Sequence, residues 1–121
     1  MKTNITSKTG LTLTLLGTAL LGGCASGPPT LYQWERYQPQ VYEYFKGQGS
    51  GADGQIIALE EDLQKIRAKG NTPPPGFHAH LGLLYSQVGK TDRLEKELLA
   101  EKELYPESST YMDFLLKKSK K

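Results

Sequence analysis

The stretch PGFHAHLGLLYSQVGKTDRLEKELLAEKELYPES, residues 75–108, decides the fold. Phe77, Leu81, Leu84, Tyr85 and Val88 recur at helical spacing and predict a helix over Gly76–Val88. Gly89-Lys90 closes it. Asp92 and Glu95 stand at capping-box spacing and open a second helix. That helix runs through Leu94, Leu98 and Leu104 to Tyr105, and Pro106 stops it. The stretch is therefore a helix–turn–helix unit.

Outward from it the chain stays helical. Ile56, Leu59, Leu63 and Ile66 form one apolar stripe on a helix predicted over Gln55–Lys69, with Asp53 able to cap its start and Gly70 after its end. Glu60, Glu61, Asp62, Lys65 and Arg67 are read as its solvated faces, Glu61 and Lys65 as an i,i+4 pair. Gly47–Gly54 holds four glycines and is expected to be a connector loop. Pro73-Pro74-Pro75 makes a stiff turn. Before the loop, a helix is expected from about Pro39 to Lys46. Ser108-Ser109 can cap a last helix, Thr110 to about Lys117, with Tyr111, Phe114 and Leu115 apolar. No strand signal occurs. The fold class is all-α: a short stack of helix hairpins closed by a C-terminal capping helix.

The N-terminus reads as an address. Lys2 and Lys8 precede the apolar run Leu11–Leu21, then small residues and Cys24, the one cysteine. The run is too short to span a bilayer comfortably. Leu21-Gly22-Gly23-Cys24 resembles the lipobox of bacterial lipoproteins. That resemblance implies cleavage before Cys24 and a covalent diacylglycerol and N-acyl lipid on it. Ala25 after the cysteine, by resemblance to the enterobacterial sorting rule, implies delivery to the outer membrane. Ala25–Thr30, with Pro28-Pro29, reads as a tether. The expected organisation is residues 1–23 as signal peptide, 24–30 as lipidated cysteine and tether, 31–118 as helical domain and 119–121 as basic tail. The tail could touch anionic lipid, but solubility is its simpler use.

Charge and composition narrow the function. The 121 residues carry 15 Lys+Arg against 13 Asp+Glu, a formal +2, and removing Lys2 and Lys8 leaves a neutral chain. A nucleic-acid partner needs a basic footprint and is not expected. Neither is a small-molecule substrate, a cofactor beyond the lipid, or enzyme activity. Gly89-Lys90-Thr91 echoes a phosphate loop but follows a helix and has Leu84 where the loop needs glycine. His78 and His80 lie two apart on a helix, which points them to different faces. One packed and one exposed imidazole is expected, not a metal site.

Residues 75–108 are similar to the tetratricopeptide repeat. Leu81, Gly82 and Tyr85 match its L-G-x2-Y, and Pro106 stands 24 residues after Gly82, where that family places its proline. His78, Leu94 and Glu101 depart from the pattern, and Leu94 and Glu101, larger than the usual residues, would splay the helix pair. Leu59, Leu63 and Pro73 suggest an earlier, degenerate copy. The resemblance implies a protein-binding stack.

Six aromatics crowd residues 31–46: Tyr32, Trp34, Tyr37, Tyr42, Tyr44 and Phe45, of 7 Tyr, 3 Phe and 1 Trp in the chain. They either fill the core or form an interface patch. With Cys24, Leu31-Tyr32-Gln33-Trp34, Tyr37, Val41-Tyr42, Tyr44-Phe45-Lys46, Pro74-Pro75-Gly76, His80-Leu81-Gly82 and Tyr85, the chain resembles a domain-of-unknown-function family of small proteobacterial lipoproteins. Glu35 stands where that family frequently has Gly. Its members are typically encoded beside a lipoprotein resembling the curli secretion channel and a third small lipoprotein. The resemblance implies an outer-membrane, periplasm-facing adaptor or assembly factor of an envelope complex, plausibly an accessory of such a pore. Activation of a peptidoglycan synthase is the alternative. Expected contact residues are Tyr32, Trp34, Tyr37, Tyr42, Tyr44, His78, Leu81 and Tyr85.

Overall fold

Five α-helices and one 3-10 turn follow one another in the computed structural model, which describes residues 30–47 and 49–120. The helices are α1 Tyr37–Lys46, α2 Gly51–Ala68, α3 Phe77–Gln87, α4 Thr91–Leu104 and α5 Ser109–Ser119, with the 3-10 turn Pro106–Ser108 before α5. The leader, Cys24 and the tether lie outside the described residues. From Leu31 onward the chain forms one compact unit that contains all of the described core. No strand occurs among the described residues. No helix there is long and apolar enough to cross a membrane.

The apolar stripe of α2 works as its spacing requires. Ile56, Leu59, Leu63 and Ile66 are buried against Phe77, Leu81, Leu84 and Tyr85 of α3 and Leu94 and Leu98 of α4. The main contacts run between helices that are neighbours in sequence, so α1 to α5 form a stack. Pro39 falls in the first turn of α1, where an N–H has no intrahelical partner to lose. Gly47, at φ 62°, ends α1 in the left-handed conformation that glycine adopts without strain.

Three sequence expectations fail locally. The glycine connector is shorter than expected, because α2 starts at Gly51 instead of Gln55. A long helix anchored by four buried aliphatic residues extends through Gly54 despite about 1 kcal/mol of propensity cost there, and Gly51 enters it at φ 70°, a left-handed conformation that glycine adopts without strain. Leu104 is exposed, and the inward face of α4 is instead Leu94, Glu97, Leu98 and Glu101, followed by buried Tyr105. In α5, Met112 is buried with Leu115 and Leu116 packed beside it, while Tyr111 and Phe114 face outward.

The α3–α4 hairpin holds the largest departure. Glu101, at the position expected to splay the pair, is buried and caps the neighbouring helix. Its carboxyl oxygens accept the backbone N–H of Gly76 at 2.6 Å, His78 at 3.1 Å and Ala79 at 3.3 Å. These are first-turn donors that α3 cannot satisfy itself. One turn earlier, Glu97 Oε2 lies 2.5 Å from His78 Nδ1 in the same buried layer. Gly82 makes the approach possible. A Cβ there would meet the Leu94 side chain at 3.3 Å and Glu97 Cβ at 3.4 Å. The capping box predicted at Asp92 and Glu95 does not form: Lys90 is the N-cap of α4 and donates no side-chain cap bond.

Replacing Glu101 by Ala should therefore lower unfolding free energy by about 3 kcal/mol, because the buried His78 N–H and the half-buried N–H groups of Gly76 and Ala79 lose their acceptor. Glu101→Gln, which keeps one acceptor oxygen, should cost about half of that. Urea denaturation of the two variants measures the difference.

Candidate functional site

The N-terminal aromatic segment is fixed to the stack before its helix begins. Arg36 does this from just ahead of α1. Its backbone N–H donates to Asp62 Oδ2 at 3.1 Å, and its guanidinium donates to Asp62 Oδ1 at 2.8 Å, Ala58 O at 2.8 Å and Glu61 Oε2 at 3.0 Å. Asp62 is fully buried, contrary to its expected place on a solvated face of α2. Burial alone would raise its carboxyl pKa, but the Arg36 hydrogen bonds and charge outweigh that and hold it below the ordinary value. Lys65 pairs with Asp62 at 3.4 Å rather than with Glu61. A second tie joins Gln33 N–H to Thr72 O at 2.9 Å, and Asn71 Nδ2 to Gln33 Oε1 at 2.7 Å. Between them Glu35 takes φ 43°, the left-handed region, at the position where the resembled family frequently has Gly.

Pinned in this way, the aromatic residues divide. Tyr37 turns inward on Phe77 (ring centroids 5.4 Å apart) and His80 (6.1 Å), and Tyr44 meets His80 edge-on at 5.1 Å. Tyr32 packs edge-on against Tyr105 at 6.0 Å. These three are half-buried supports rather than a free face. Trp34 stacks on Tyr37 at 6.3 Å yet stays 40% exposed. Tyr42 is 62% exposed, with Lys46 Nζ 5.4 Å from its ring centroid. Leu31 and Phe45, which were not among the expected contact residues, are each 80% exposed. Phe45 borders a cleft of about 460 Å³ with Tyr44, Gly51, Gln55, Leu84 and Gln87. Gln55 is buried there, and its Oε1 has no donor among the described residues. Both core and interface readings of the segment thus apply, to different rings.

The expected repeat groove does not present its residues. His78, Leu81 and Tyr85 are buried at 2%, 1% and 2% exposure, so they hold the hairpin together and offer no contact surface. Leu81 and Tyr85 pack into the core with the α2 stripe, and His78 is covered by Glu97 of α4. His80 is buried as well, where one exposed imidazole was expected; desolvation lowers its pKa and keeps it neutral. Glu60 is tied down too. It accepts the Tyr85 hydroxyl and Arg93 Nη2, the latter at 2.7 Å, and Arg93 lies 4.9 Å from the centroid of the Tyr85 ring. Burial first, then the Glu60 contact, pushes the Tyr85 hydroxyl up to about 12. Among the described residues, no three His, Cys, Asp or Glu side chains converge in an arrangement that could hold a metal ion.

A family model described as "Domain of unknown function (DUF4810)" matches residues 31–115. The chain belongs to that family. No curated protein and no solved structure matches it.

The depressed Asp62 pKa makes a stability contribution that is present above the ordinary carboxylate value of 3.8 and lost as pH falls through the lower folded value. Arg36→Ala should cost about 2–3 kcal/mol at pH 7, where it leaves a buried carboxylate with Lys65 as its one cation and the backbone N–H of residue 36 as a donor. The gap between the variant and the parent should shrink as pH drops below 3.8. Urea midpoints measured across that range check both parts.

Proposed function

We propose that this DUF4810 domain is the periplasm-facing part of an outer-membrane lipoprotein acylated at Cys24, and that it serves as an adaptor or assembly factor for an envelope complex. A curli-channel-like pore is the partner we favour. The observation that carries the adaptor reading is the exposure of Trp34, stacked on Tyr37 in a segment that the Arg36–Asp62 pair pins to α2. Exposing a Trp and a Phe to water forgoes the stabilisation of burying them, and Trp is over-represented among residues that carry binding energy. Ordered exposure on a supported backbone also lowers the entropy lost on association. The cleft beside Phe45 adds a recess for an apolar partner side chain. The lipoprotein part rests on the signal grammar that ends at the chain's one cysteine.

A tagged chain captured from crosslinked envelopes tests the adaptor role. Trp34→Ala should abolish partner recovery while the domain keeps its helical circular dichroism. Equal recovery from the parent and the variant sinks the assignment of Trp34. Wall synthases recovered without a channel protein would redirect the search to peptidoglycan assembly. Separately, Cys24→Ser should eliminate incorporation of labelled palmitate. Persistent labelling would place the acyl group elsewhere.

A further inference from the structure

The C-terminal helix turns two aromatic rings away from the core that it caps. Met112, Leu115 and Leu116 of α5 face inward. Tyr111 and Phe114 face out, 59% and 57% exposed, with their rings stacked 6.3 Å apart at 16°. Lys118 continues that outer stripe at i+4 from Phe114, and Lys117 and Lys120 are exposed close by. None of these three lysines pairs with an acid among the described residues. The one acid of α5, Asp113, is neutralised by Lys102 at 2.7 Å. The outer stripe is therefore aromatic first and cationic after.

We propose that this face of α5 docks on an anionic lipid surface. The residue types decide among the occupants. Lys is depleted from protein–protein interfaces, whereas at a bilayer surface its long stem lies along apolar material and its ammonium reaches the headgroups. Aromatic rings sit at the level between headgroups and acyl chains. Clustered lysines beside such rings are attracted by the negative potential of anionic lipid. A second copy packed on the same face would gather the lysines of both chains in one interface with no free acid of α5 to offset them, which disfavours it. The inference does not require acylation of Cys24. Where that lipid is present, the second weak contact sets the orientation of the domain against the membrane.

The test uses residues 31–121, the compact unit that holds the described core, without any lipid. It is mixed with vesicles of phosphatidylglycerol and phosphatidylcholine in equal parts, and separately with pure phosphatidylcholine, and spun at low and high salt. The unaltered unit is expected to sediment with the anionic vesicles only, and less so at high salt. Lys117→Glu with Lys118→Glu should weaken partitioning by about tenfold or more. Phe114→Ser should weaken it by about fivefold. Both changes lie on the outer face, and unchanged helicity verifies that they leave the fold intact. Failure to bind anionic vesicles at low salt overturns the proposal. So does equal binding to phosphatidylcholine, or binding that ignores both variants. Concentration-dependent dimerisation that Phe114→Ser removes would reassign the face to a second copy.

Discussion

The buried carboxyl of Glu101 accepts hydrogen bonds from the first turn of α3, and the closed hairpin depends on that contact more than on any other polar one. Helix α3 starts after a proline turn, with Gly76 as an N-cap that brings no side-chain acceptor. Of its first N–H groups that of His78 is buried and those of Gly76 and Ala79 are half-buried, so each gains from a protein acceptor. Glu101 reaches them from α4, and Glu97 meets His78 beside it. The same closeness requires Gly82 to lack a Cβ. A polar layer and a missing side chain thus solve one problem together, and the apolar residues of α2 pack on the result.

Arg36 and Asp62 play the corresponding role for the N-terminal segment. Without them the chain from Leu31 to Arg36 would have only the Gln33 contacts with Asn71 and Thr72 and the Tyr32–Tyr105 ring contact to place it. With them, Tyr37 and Tyr44 settle on α3, and Trp34 is held at the surface on the Tyr37 ring. The exposed rings are a product of buried electrostatics, not of local helix preference.

Periodicity made the helices and most of the core legible. The Ile56–Ile66 stripe, the Phe77–Tyr85 face and the role of Gly82 follow from spacing and residue size. What spacing hides is a charged residue with a distant partner. Asp62, Glu97 and Glu101 look like solvated helix residues until Arg36, His78 and the start of α3 come against them. One usable signal existed: Glu97 and Glu101 continue the inward positions of Leu94 and Leu98. The Gly51 start of α2 was hidden because propensity is local and the anchoring of a long helix is not. The outward turn of Tyr111 and Phe114 was missed because aromatic character was read as burial, whereas Met112, Leu115 and Leu116 fit the inward period better. Of the expected contact residues, Trp34 and Tyr42 are exposed because they fall outside the stripe that Tyr37 and Tyr44 turn to α3.

The helix order carries a consequence for assembly. Contacts among α2, α3, α4 and α5 join near neighbours in sequence, which closes small loops and favours rapid, cooperative formation. The N-terminal segment is held by a few polar ties, Arg36 to Asp62, Gln33 to Asn71 and Tyr44 to Gln87, and the last two span more chain than the ties within the hairpin. With few contacts to repay that closure, this segment is expected to seal last and to exchange its amide hydrogens first. A partner that grips Trp34 pulls on the seam where the domain opens most readily.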